Sequence, residues 1–374
     1  MINVVEVISD MNVGGAGILL LNRLSHANKD IFRYYVILPK DSQLKCRFRS
    51  IGIRTFEING CKDRSFDAVA IPQICSILKK IKPDILNAHG ALSARIAARL
   101  TGVPIKIYTR HCVYPANMVY KLRCVRGANK LFNQILSDRI IAVADSAKKN
   151  LIDMGIAPSQ ISVIINGAQK LSEISQKSKS KLRKSLGIPD VATVVSICAR
   201  LEKCKDHLTF LKAAAIICKS SDNYRFLIIG DGALRLPLSL IAKRLSIDDK
   251  VIFTGFVKDV SPYMNITDIN VNCSIGTETS SLALSEGMSL GIPCVASDYG
   301  GNPYMVKNGY NGYVYRQRNA RELVKKILLL TDKNIYRDMS ENARARFYNE
   351  LNAKAMTDKT EALYLSLINA KKRP

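Results

Sequence analysis

The sequence has no tryptophan, only four histidines among 374 residues, and no uninterrupted apolar run of about 18 residues. A chain that lacks such a run has no candidate transmembrane helix. Residues 1–8 form a short apolar run that contains Glu6 and has no basic region before it. We therefore expect a first strand here and no signal peptide.

The ten cysteines are dispersed and include no C-x-x-C pair. This spacing excludes the common zinc-binding and dithiol redox motifs. Several of the cysteines fall in apolar strand or helix patterns. They are typical of buried thiols in a reducing compartment, and we expect a cytoplasmic protein.

Two motifs of nucleotide enzymes are also missing. The turn after the first strand is not G-x-G-x-x-G, which argues against a nicotinamide-dependent oxidoreductase. No D-x-D and no other pair of acids at i and i+2 occurs, so there is no obvious clamp for a divalent metal. We expect neither a metal nor a cofactor.

What the chain does have is positive charge, with a formal net charge of +25. The excess is spread evenly, with +13 in residues 1–165 and +12 in the rest. Such charge favours a polyanionic partner, either nucleic acid or an anionic membrane surface. No nucleic-acid-binding module accompanies it. We expect no nucleic acid, although a basic α/β nucleic-acid-binding protein stays an alternative.

Strand and helix patterns alternate in two separate series, which predicts an α/β protein of two Rossmann-like domains facing across a cleft. We place the N-terminal domain at residues 1–168 and a basic, Ser-rich linker at 169–190. The C-terminal domain follows at 191–350. Residues 351–374 form a last helix, expected to pack back toward the N-terminal domain.

A basic amphipathic helix is predicted at residues 117–136, where apolar positions alternate with Lys121, Arg123, Arg126 and Lys130. Such a helix can lie in an anionic membrane interface. An ordinary core-packing helix with a solvated basic side explains the pattern equally well.

Residues 273–288 carry two carboxylates, Glu278 and Glu286, between two predicted strands. Glu278 lies in the loop after a strand and Glu286 about two turns into the next helix. Ligands bind at such corners of open α/β sheets because the helix N-terminus gathers free N–H groups. The alternative is that both are surface acids.

Two cations and two histidines also follow predicted strands. Arg200 and Lys205 lie in one strand-to-helix corner, where they can neutralise a diphosphate leaving group. The plainer explanation is that two basic residues lie in one loop by chance. His89 and His111 each end a strand, and a structural histidine would explain either one.

With these residues in view, the chain resembles the large family 4 of retaining glycosyltransferases, which has the GT-B architecture. The Arg-Leu-x₃-Lys pattern is matched at residues 200–205 and the Glu-x₇-Glu pattern at residues 278–286. The other matches run along nearly the whole chain. They are Gly14-Gly15-Ala16, Asn87-Ala88-His89-Gly90, Thr109-Arg110-His111, Ile165-Asn166-Gly167, Gly230-Asp231-Gly232 and Gly300-Gly301-Asn302-Pro303.

The resemblance implies a nucleotide-diphosphate sugar donor bound by the C-terminal domain (191–350), an acceptor on the side of the N-terminal domain (1–168), and a role for each matched residue. Arg200 and Lys205 would hold the diphosphate, Glu286 the ribose and Glu278 the donor sugar. His111 would lie near the reacting centre. The remaining donor contacts would come from Gly15, Gly230, Thr279, Ser280, Ser281 and Leu282, several of them through backbone N–H groups.

The implied activity is retaining, metal-independent transfer of a hexosyl group to a glycan or lipid-linked acceptor, in polysaccharide or lipopolysaccharide biosynthesis at the inner face of the plasma membrane. A non-catalytic scaffold of the same fold remains an alternative. The chain departs from the family pattern at Tyr304, at Ala168-Gln169, and at Thr279-Ser280-Ser281, which replaces a frequent Gly-Phe-Gly. The last departure leaves the donor sugar open.

Overall fold

The computed structural model describes residues 1–113 and 118–372, apart from the side chains of Met118 and Lys121. The chain divides into two compact units. Unit 1 comprises Met1–Gly167 together with Ala353–Pro374, and unit 2 comprises Ala168–Asn352. Each unit is built on one parallel sheet with helices as crossovers between its strands.

The sheet of unit 1 has seven strands in the order β3-β2-β1-β4-β5-β6-β7. The order reverses direction between β1 and β4, which makes their carboxyl ends the topological switch point of this sheet. The strands are β1 (Ile2–Ile8), β2 (Phe32–Pro39), β3 (Arg54–Ile58), β4 (Ile85–His89), β5 (Ile105–Arg110), β6 (Arg139–Ala142) and β7 (Ile161–Val163).

Helices connect these strands. The predicted helix at 117–136 is shorter than expected. Its first residue, Asn117, lies outside the described residues, 118–121 form a 3₁₀ turn, and Leu122 is extended (φ −77°, ψ 126°), so the α-helix begins one residue later. The helices are α1 (Gly15–Ser25), α2 (Leu44–Ser50), α3 (Ala70–Ile81), α4 (Leu92–Leu100), α5 (Arg123–Leu136) and α6 (Asp145–Asp153).

Unit 2 repeats the plan with six strands in the order β10-β9-β8-β11-β12-β13. Its switch point lies between β8 and β11, which pair in parallel through Ile269 with Val195 and Val271 with Ile197. The strands are β8 (Thr193–Cys198), β9 (Tyr224–Ile229), β10 (Val251–Gly255), β11 (Ile269–Asn272), β12 (Cys294–Ser297) and β13 (Gly312–Tyr315).

The expected linker at 169–190 is not an irregular segment. It contains a helix capped by Ser175, and Leu182 and Leu186 pack against a cluster around Ile188 and Val194, which places it in unit 2. The helices of unit 2 are α7 (Gln176–Ser185), α8 (His207–Cys218), α9 (Arg235–Arg244), α10 (Ser261–Asn265), α11 (Leu282–Ser289), α12 (Asn302–Met305), α13 (Ala320–Leu329) and α14 (Lys333–Arg346).

The final helix, α15 (Ala353–Lys372), belongs to unit 1. Its Tyr364 is fully buried, with its ring 6.2 Å from that of Phe32 on β2. The Thr357 hydroxyl donates a hydrogen bond to the carbonyl of Arg23 on α1 (3.0 Å). Polar side chains of the last helix are thus part of the interior of unit 1.

The central strands are buried on both faces, as in parallel sheets covered by helices. In β1, Val4, Val5 and Val7 are at most 2% exposed. Glu6 lies among them and is also fully buried. An acid in this position needs partners, because an isolated buried charge is strongly unfavourable.

Candidate active site

Three loops converge at the switch point of unit 2. The loop after β8 receives two hydrogen bonds from its neighbours, one from Leu234 N to the carbonyl of Leu201 (3.1 Å) and one from Ile275 N to the carbonyl of Cys204 (2.8 Å). The Asp231 carbonyl accepts one from Leu201 N (2.9 Å). The carboxyl ends of β8, β9 and β11 therefore carry one connected set of loops.

Gly230 is required for this arrangement. Its φ is +134°, and a Cβ atom added to it would lie 2.2 Å from the carbonyl oxygen of Ala199. Only a residue without a side chain lets the β9 turn approach the β8 loop this closely. The predicted donor-binding role of Gly230 remains a prediction, whereas its contact with the loop before Arg200 is a feature of the fold.

The loop after β8 and the loop after β11 meet through an ion pair. Lys205 Nζ lies 2.7 Å from Glu278 Oε2, with the two side chains 20% and 8% exposed. The same oxygen accepts hydrogen bonds from the Ser274 hydroxyl (2.8 Å) and from Asn272 Nδ2 (3.3 Å). Two predicted site residues, 73 positions apart in the chain, are thus brought into direct contact.

This pairing keeps Glu278 ionised. Burial by itself would raise the pKa of its carboxyl group. The charge of Lys205 and the hydrogen bonds from Lys205 and Ser274 outweigh it, so the pKa lies below its ordinary value. The site therefore presents a buried carboxylate beside a partly exposed ammonium group.

The loop that carries Glu278 is supported by the Gly300-Gly301 turn. Gly300 has a φ of +63°, and Cβ atoms built on the two glycines would lie 2.0 Å from the Glu278 carbonyl oxygen and 1.5 Å from that of Thr279. The backbone of this turn packs directly on the backbone of the Glu278 loop. The Gly-Gly-x-Pro motif thus has a structural function within unit 2.

Thr279, Ser280 and Ser281 form the buried entry to α11. The Ser281 hydroxyl caps the helix by accepting a hydrogen bond from Leu284 N (3.4 Å) and accepts another from Asn272 Nδ2 (3.1 Å). Leu282 is the first helical residue. The positive end of the helix dipole therefore lies next to Glu278, in a position suited to an anionic ligand.

Glu286 lies on the second turn of α11 and makes no ion pair or hydrogen bond through its carboxylate among the described residues. Burial raises the pKa of this group to about 7. Cys198 at the end of β8 packs against the same apolar cluster as Ala283 of α11. Burial, followed by the charge of Glu286, raises the pKa of Cys198 to about 12. Glu286 is thus a carboxyl group with unused hydrogen-bonding capacity beside the β8 loop.

Arg200 differs from the other predicted residues. Its side chain is 76% exposed, and Nη1 lies 2.7 Å from Glu202 Oε1. The structure does not bring it into contact with Lys205 or Glu278. It extends from the β8 loop into solvent, where a guanidinium group is accessible to an anion.

The other predicted residues lie in unit 1. Gly15 begins α1 at the carboxyl end of β1, and a Cβ atom added there would meet no atom within 4 Å. His111 follows β5. Its Nε2 lies 2.8 Å from Nδ1 of His89, and burial, followed by the charges of His89 and Arg23, lowers its pKa to about 3. His111 is therefore a neutral imidazole.

Sequence reasoning missed several residues of these sites. Asn272 and Ser274 hold the Glu278 carboxylate, and Glu202 pairs with Arg200. In unit 1, Glu6 accepts a hydrogen bond from His89 and forms an ion pair with Arg23. An acid between valines in a buried strand was the available signal for Glu6, because such a residue needs a partner.

Among residues 1–113 and 118–372, no group of three His, Cys, Asp or Glu side chains is placed to hold a metal ion. No helix in the same residues combines the length and the hydrophobicity that a membrane crossing requires.

Solved structures with the same fold define the class. A glycosyltransferase from Rickettsia africae matches with a TM-score of 0.84 at 19% identity, covering 100% of this chain and 99% of that one. The Anabaena protein HepE, solved with UDP, matches with a TM-score of 0.83 at 21% identity, covering 98% and 100%. Two parallel-sheet Rossmann-like units of this kind define the GT-B fold, as predicted.

Sequence comparisons then give the family. The family model "Glycosyl transferases group 1" matches residues 178–346, and "Glycosyltransferase Family 4" matches residues 13–169. The chain belongs to the family 4, group 1 glycosyltransferases, and the predicted resemblance is confirmed.

Curated relatives match over most of their own length. The Escherichia coli enzyme UDP-Gal:alpha-D-GlcNAc-diphosphoundecaprenol alpha-1,3-galactosyltransferase is 26% identical over 94% of this chain and 97% of its own. The Bacillus anthracis N-acetyl-alpha-D-glucosaminyl L-malate synthase is 23% identical over 81% and 80%. The Streptococcus pneumoniae alpha-monoglucosyldiacylglycerol synthase is 25% identical over 91% and 77%.

Proposed function

We propose that this protein is a retaining glycosyltransferase that moves a hexosyl group from a UDP-sugar to a lipid-linked glycan acceptor in cell-surface polysaccharide or lipopolysaccharide biosynthesis. The observation that carries the proposal is the Lys205–Glu278 ion pair at the switch point of unit 2, with Arg200 exposed on the same loop as Lys205. Family membership does not favour the nucleic-acid-binding or the scaffold alternative.

In this proposal the charged groups bind different parts of the donor. Lys205 and Arg200 neutralise the diphosphate, Glu286 accepts hydrogen bonds from the ribose hydroxyls, and Glu278 accepts them from the sugar. A cation that balances charge on the leaving diphosphate stabilises the transition state, where that charge increases. Because protein cations supply this charge, the proposed reaction needs no divalent metal.

The proposed chemistry retains the anomeric configuration. The bond between the anomeric carbon and the UDP oxygen breaks, and the acceptor hydroxyl oxygen bonds to the same face of that carbon. The acceptor proton passes to an oxygen of the departing diphosphate. The products are the glycosylated acceptor and UDP, and the step balances without another reactant.

The choice of UDP rests on two kinds of support. The name of the Escherichia coli relative specifies UDP-Gal, and HepE was solved with UDP and with UDP-glucose. The acceptor class follows the names of two relatives, a galactosyltransferase acting on alpha-D-GlcNAc-diphosphoundecaprenol and a synthase of alpha-monoglucosyldiacylglycerol. These are properties of those proteins, and we propose that this chain uses the same classes of donor and acceptor.

A thermal-shift screen tests the proposal. UDP-galactose, UDP-glucose, UDP-GlcNAc, GDP-mannose and ADP-glucose are compared, because a ligand at 100 times its Kd stabilises by about 2.7 kcal/mol. We expect a shift with at least one UDP-sugar and a loss of that shift in Glu286→Ala. No shift with any UDP-sugar, or an undiminished shift in the variant, contradicts the assigned donor or the role of Glu286.

We also propose peripheral binding to the inner face of the plasma membrane through α5 and the turn before it. Arg123, Arg126 and Lys130 are exposed, and so are large apolar side chains. A helix that exposes both kinds of group suits an anionic membrane interface. The exposed apolar residues are Val119, Leu122, Leu131, Phe132 and Ile135, at 44–59%.

Charge reversal tests the membrane proposal. Changing Arg123, Arg126 and Lys130 to Glu should abolish sedimentation with liposomes that contain anionic lipid. The matched control changes Lys177, Lys181 and Lys184 of α7, which alters the net charge equally on a helix without buried residues. Equal loss in both variants would indicate a general charge effect, and no loss in either would contradict the proposal.

A further inference from the structure

The loop between β3 and α3, residues 59–69, reaches the switch point of the unit 1 sheet. Asp63 N donates a hydrogen bond to the carbonyl of Ser9 (2.9 Å), and Asp63 Oδ1 accepts one from Met11 N (3.0 Å). Ser9 and Met11 belong to the loop that follows β1. Because β2 lies between β3 and β1 in the sheet, the β3–α3 loop spans two strand positions to make these contacts.

Ser65 attaches the same loop to the other side of the switch point. Its hydroxyl donates to the carbonyl of Gly90, which directly follows β4, and accepts from Leu92 N (3.2 Å). Its carbonyl accepts from Ser93 N (3.2 Å). Arg64 therefore lies between an anchor on the β1 loop and an anchor on the β4 loop, about 3.8 Å in Cα position from each anchoring residue. Ligands of open α/β sheets bind in the crevice between such loops.

The β3–α3 loop is held in one conformation by contacts within unit 1. The Asp67 carboxylate accepts hydrogen bonds from Cys61 N (2.9 Å) and Val69 N (3.0 Å). Cys61 and Asp63 have positive φ values, 54° and 53°. Residues with side chains keep such a backbone only where the surrounding contacts enforce it, and these positions are concentrated at ligand sites. The loop is thus preorganised.

Two cations of this loop have no ionic partner within the part of the chain that the structure describes. Lys62 and Arg64, on either side of Asp63, are exposed and form no ion pair there. The acids of the loop already have other contacts, since Asp63 and Asp67 accept backbone hydrogen bonds. The first N–H group of α4 is bonded to Ser65. An anion at this position is therefore bound by the two cationic side chains.

Exposed apolar side chains follow the cations in the same loop. Phe66 and Val69 are 53% and 63% exposed. Charge-assisted hydrogen bonds from lysine and arginine bind phosphate oxygens, and contact with exposed apolar groups favours a hydrocarbon chain. This combination is complementary to an amphiphilic anion, in which a phosphate group carries a lipid chain.

We infer that the β3–α3 loop binds the acceptor, with Lys62 and Arg64 contacting the phosphate groups that join its sugar to its lipid and Phe66 contacting the start of the hydrocarbon chain. The inference rests on the proposed function, in which the acceptor is a lipid-linked glycan. It adds the chemical class of the link. Recognition through phosphate selects a lipid-phosphate acceptor over a neutral glycolipid.

Isothermal titration of the full chain with farnesyl diphosphate tests the inference. This lipid diphosphate carries no sugar, so the result does not depend on the identity of the glycan. Arg64→Met should lower the affinity about tenfold, as expected for a lost charge-assisted hydrogen bond. The matched control is Arg99→Met, an exposed arginine in the last turn of α4, which should bind normally. No binding by the unaltered protein, or equal affinities of the two variants, overturns the inference.

Lys205→Met separates this site from the proposed donor site, where a diphosphate can also bind. It should weaken the thermal shift with UDP-sugars and retain farnesyl diphosphate, while Arg64→Met should do the reverse. Loss of farnesyl diphosphate in Lys205→Met alone would place this ligand in unit 2 and overturn the inference. If no UDP-sugar binds but binding of farnesyl diphosphate depends on Arg64, the proposed function fails and the lipid-phosphate site stands.

Phe66→Ser tests the hydrocarbon contact. The variant should bind farnesyl diphosphate about fivefold more weakly and inorganic diphosphate normally, because only the first ligand has a chain. An unaltered affinity for both ligands contradicts the role of Phe66.

Vesicles of anionic phospholipid distinguish the acceptor from a general membrane contact. Arg64→Met should sediment with them as the unaltered protein does. Loss of vesicle binding together with a normal affinity for farnesyl diphosphate would assign the loop to the membrane surface and overturn the inference.

Discussion

The carboxylates of the two units differ in how their charges are balanced before any ligand binds. In unit 1, Glu6 is fully buried and both of its oxygens contact groups of the same unit, namely Arg23, His89 and Tyr364. In unit 2, the Lys205 ammonium group that pairs with Glu278 is partly exposed to solvent. Glu286 has no ion-pair partner among the described residues.

This difference distinguishes a structural network in unit 1 from a candidate binding site in unit 2. A buried network whose members satisfy one another orients its groups and is costly to disturb. The exposed guanidinium of Arg200, and the carboxyl group of Glu286, which has no ion-pair partner among the described residues, can still bind a ligand. We therefore expect the donor site in unit 2, where charged groups can still bind a ligand. The network of unit 1 holds His111 in position.

The largest effect is expected from Lys205→Met. Removing a cation beside the diphosphate should lower kcat/KM about 1000-fold, a loss of about 4 kcal/mol in transition-state stabilisation. The matched control is Lys203→Met, an exposed lysine two residues away, which should transfer sugar at nearly the normal rate. Similar rates for both variants would remove Lys205 from the mechanism. Steady-state kinetics with the donor found in the screen provide the measurement.

The next effect concerns stability and separates the two carboxylate environments. Glu6→Gln should destabilise unit 1 by about 3 kcal/mol at pH 7, because Arg23 is left buried without its counter-charge. The folded pKa of Glu6, about 2, lies below its ordinary value of 4.5. The stabilisation is therefore present above pH 4.5 and lost as the pH falls toward 2, so the difference should shrink below pH 4. Denaturant unfolding at several pH values measures it.

A backbone substitution tests the support of the Glu278 loop. Gly301→Ala should destabilise unit 2 by about 2 kcal/mol and weaken donor binding, because the new methyl group would overlap the Thr279 carbonyl. Gly127→Ala in α5 is the control, since a Cβ atom there meets nothing within 4 Å and alanine favours a helix. Unaltered donor binding in Gly301→Ala would show that the turn is not needed to place Glu278.

The smallest effect has the opposite sign. Glu286→Gln should stabilise the free protein by about 1 kcal/mol at pH 8 and have no effect at pH 5. The folded pKa, about 7, lies above the ordinary 4.5, so the protonated group stabilises the fold below pH 4.5 and this contribution is lost as the pH rises through 7. Thermal midpoints at the two pH values measure it. A destabilised variant at pH 8 would indicate that Glu286 is ionised and paired.

Much of the fold was predictable because its signals are local. Alternating apolar strands and helices indicated two Rossmann-like units, and turn residues marked the loops after β8, β9 and β11. Local patterns do not determine the unit boundaries, since tertiary contacts decide them. Residues 169–190 looked like a linker by composition, yet Leu182 and Leu186 bury enough apolar surface to hold α7 on unit 2.

The candidate site shows the same limit. The positions of Lys205 and Glu278 after strands indicate site residues, but no local pattern predicts their contact, because 73 residues separate them. Proximity in sequence groups Arg200 with Lys205, but the Arg200 side chain is exposed and pairs with Glu202. Side-chain direction within a loop depends on neighbouring loops, which a local pattern does not contain.

By itself, the sequence determined the α/β class, the order of the strands along the chain and the identity of the charged groups, because periodicity and spacing record them. The tertiary structure alone decided which charges meet and which stay solvated. Glu6 and Tyr364 are 358 positions apart and share a hydrogen bond, while two glutamates eight positions apart have pKa shifts of opposite direction. Burial and ion pairing arise only when distant segments pack together, and these set the chemistry of each carboxylate.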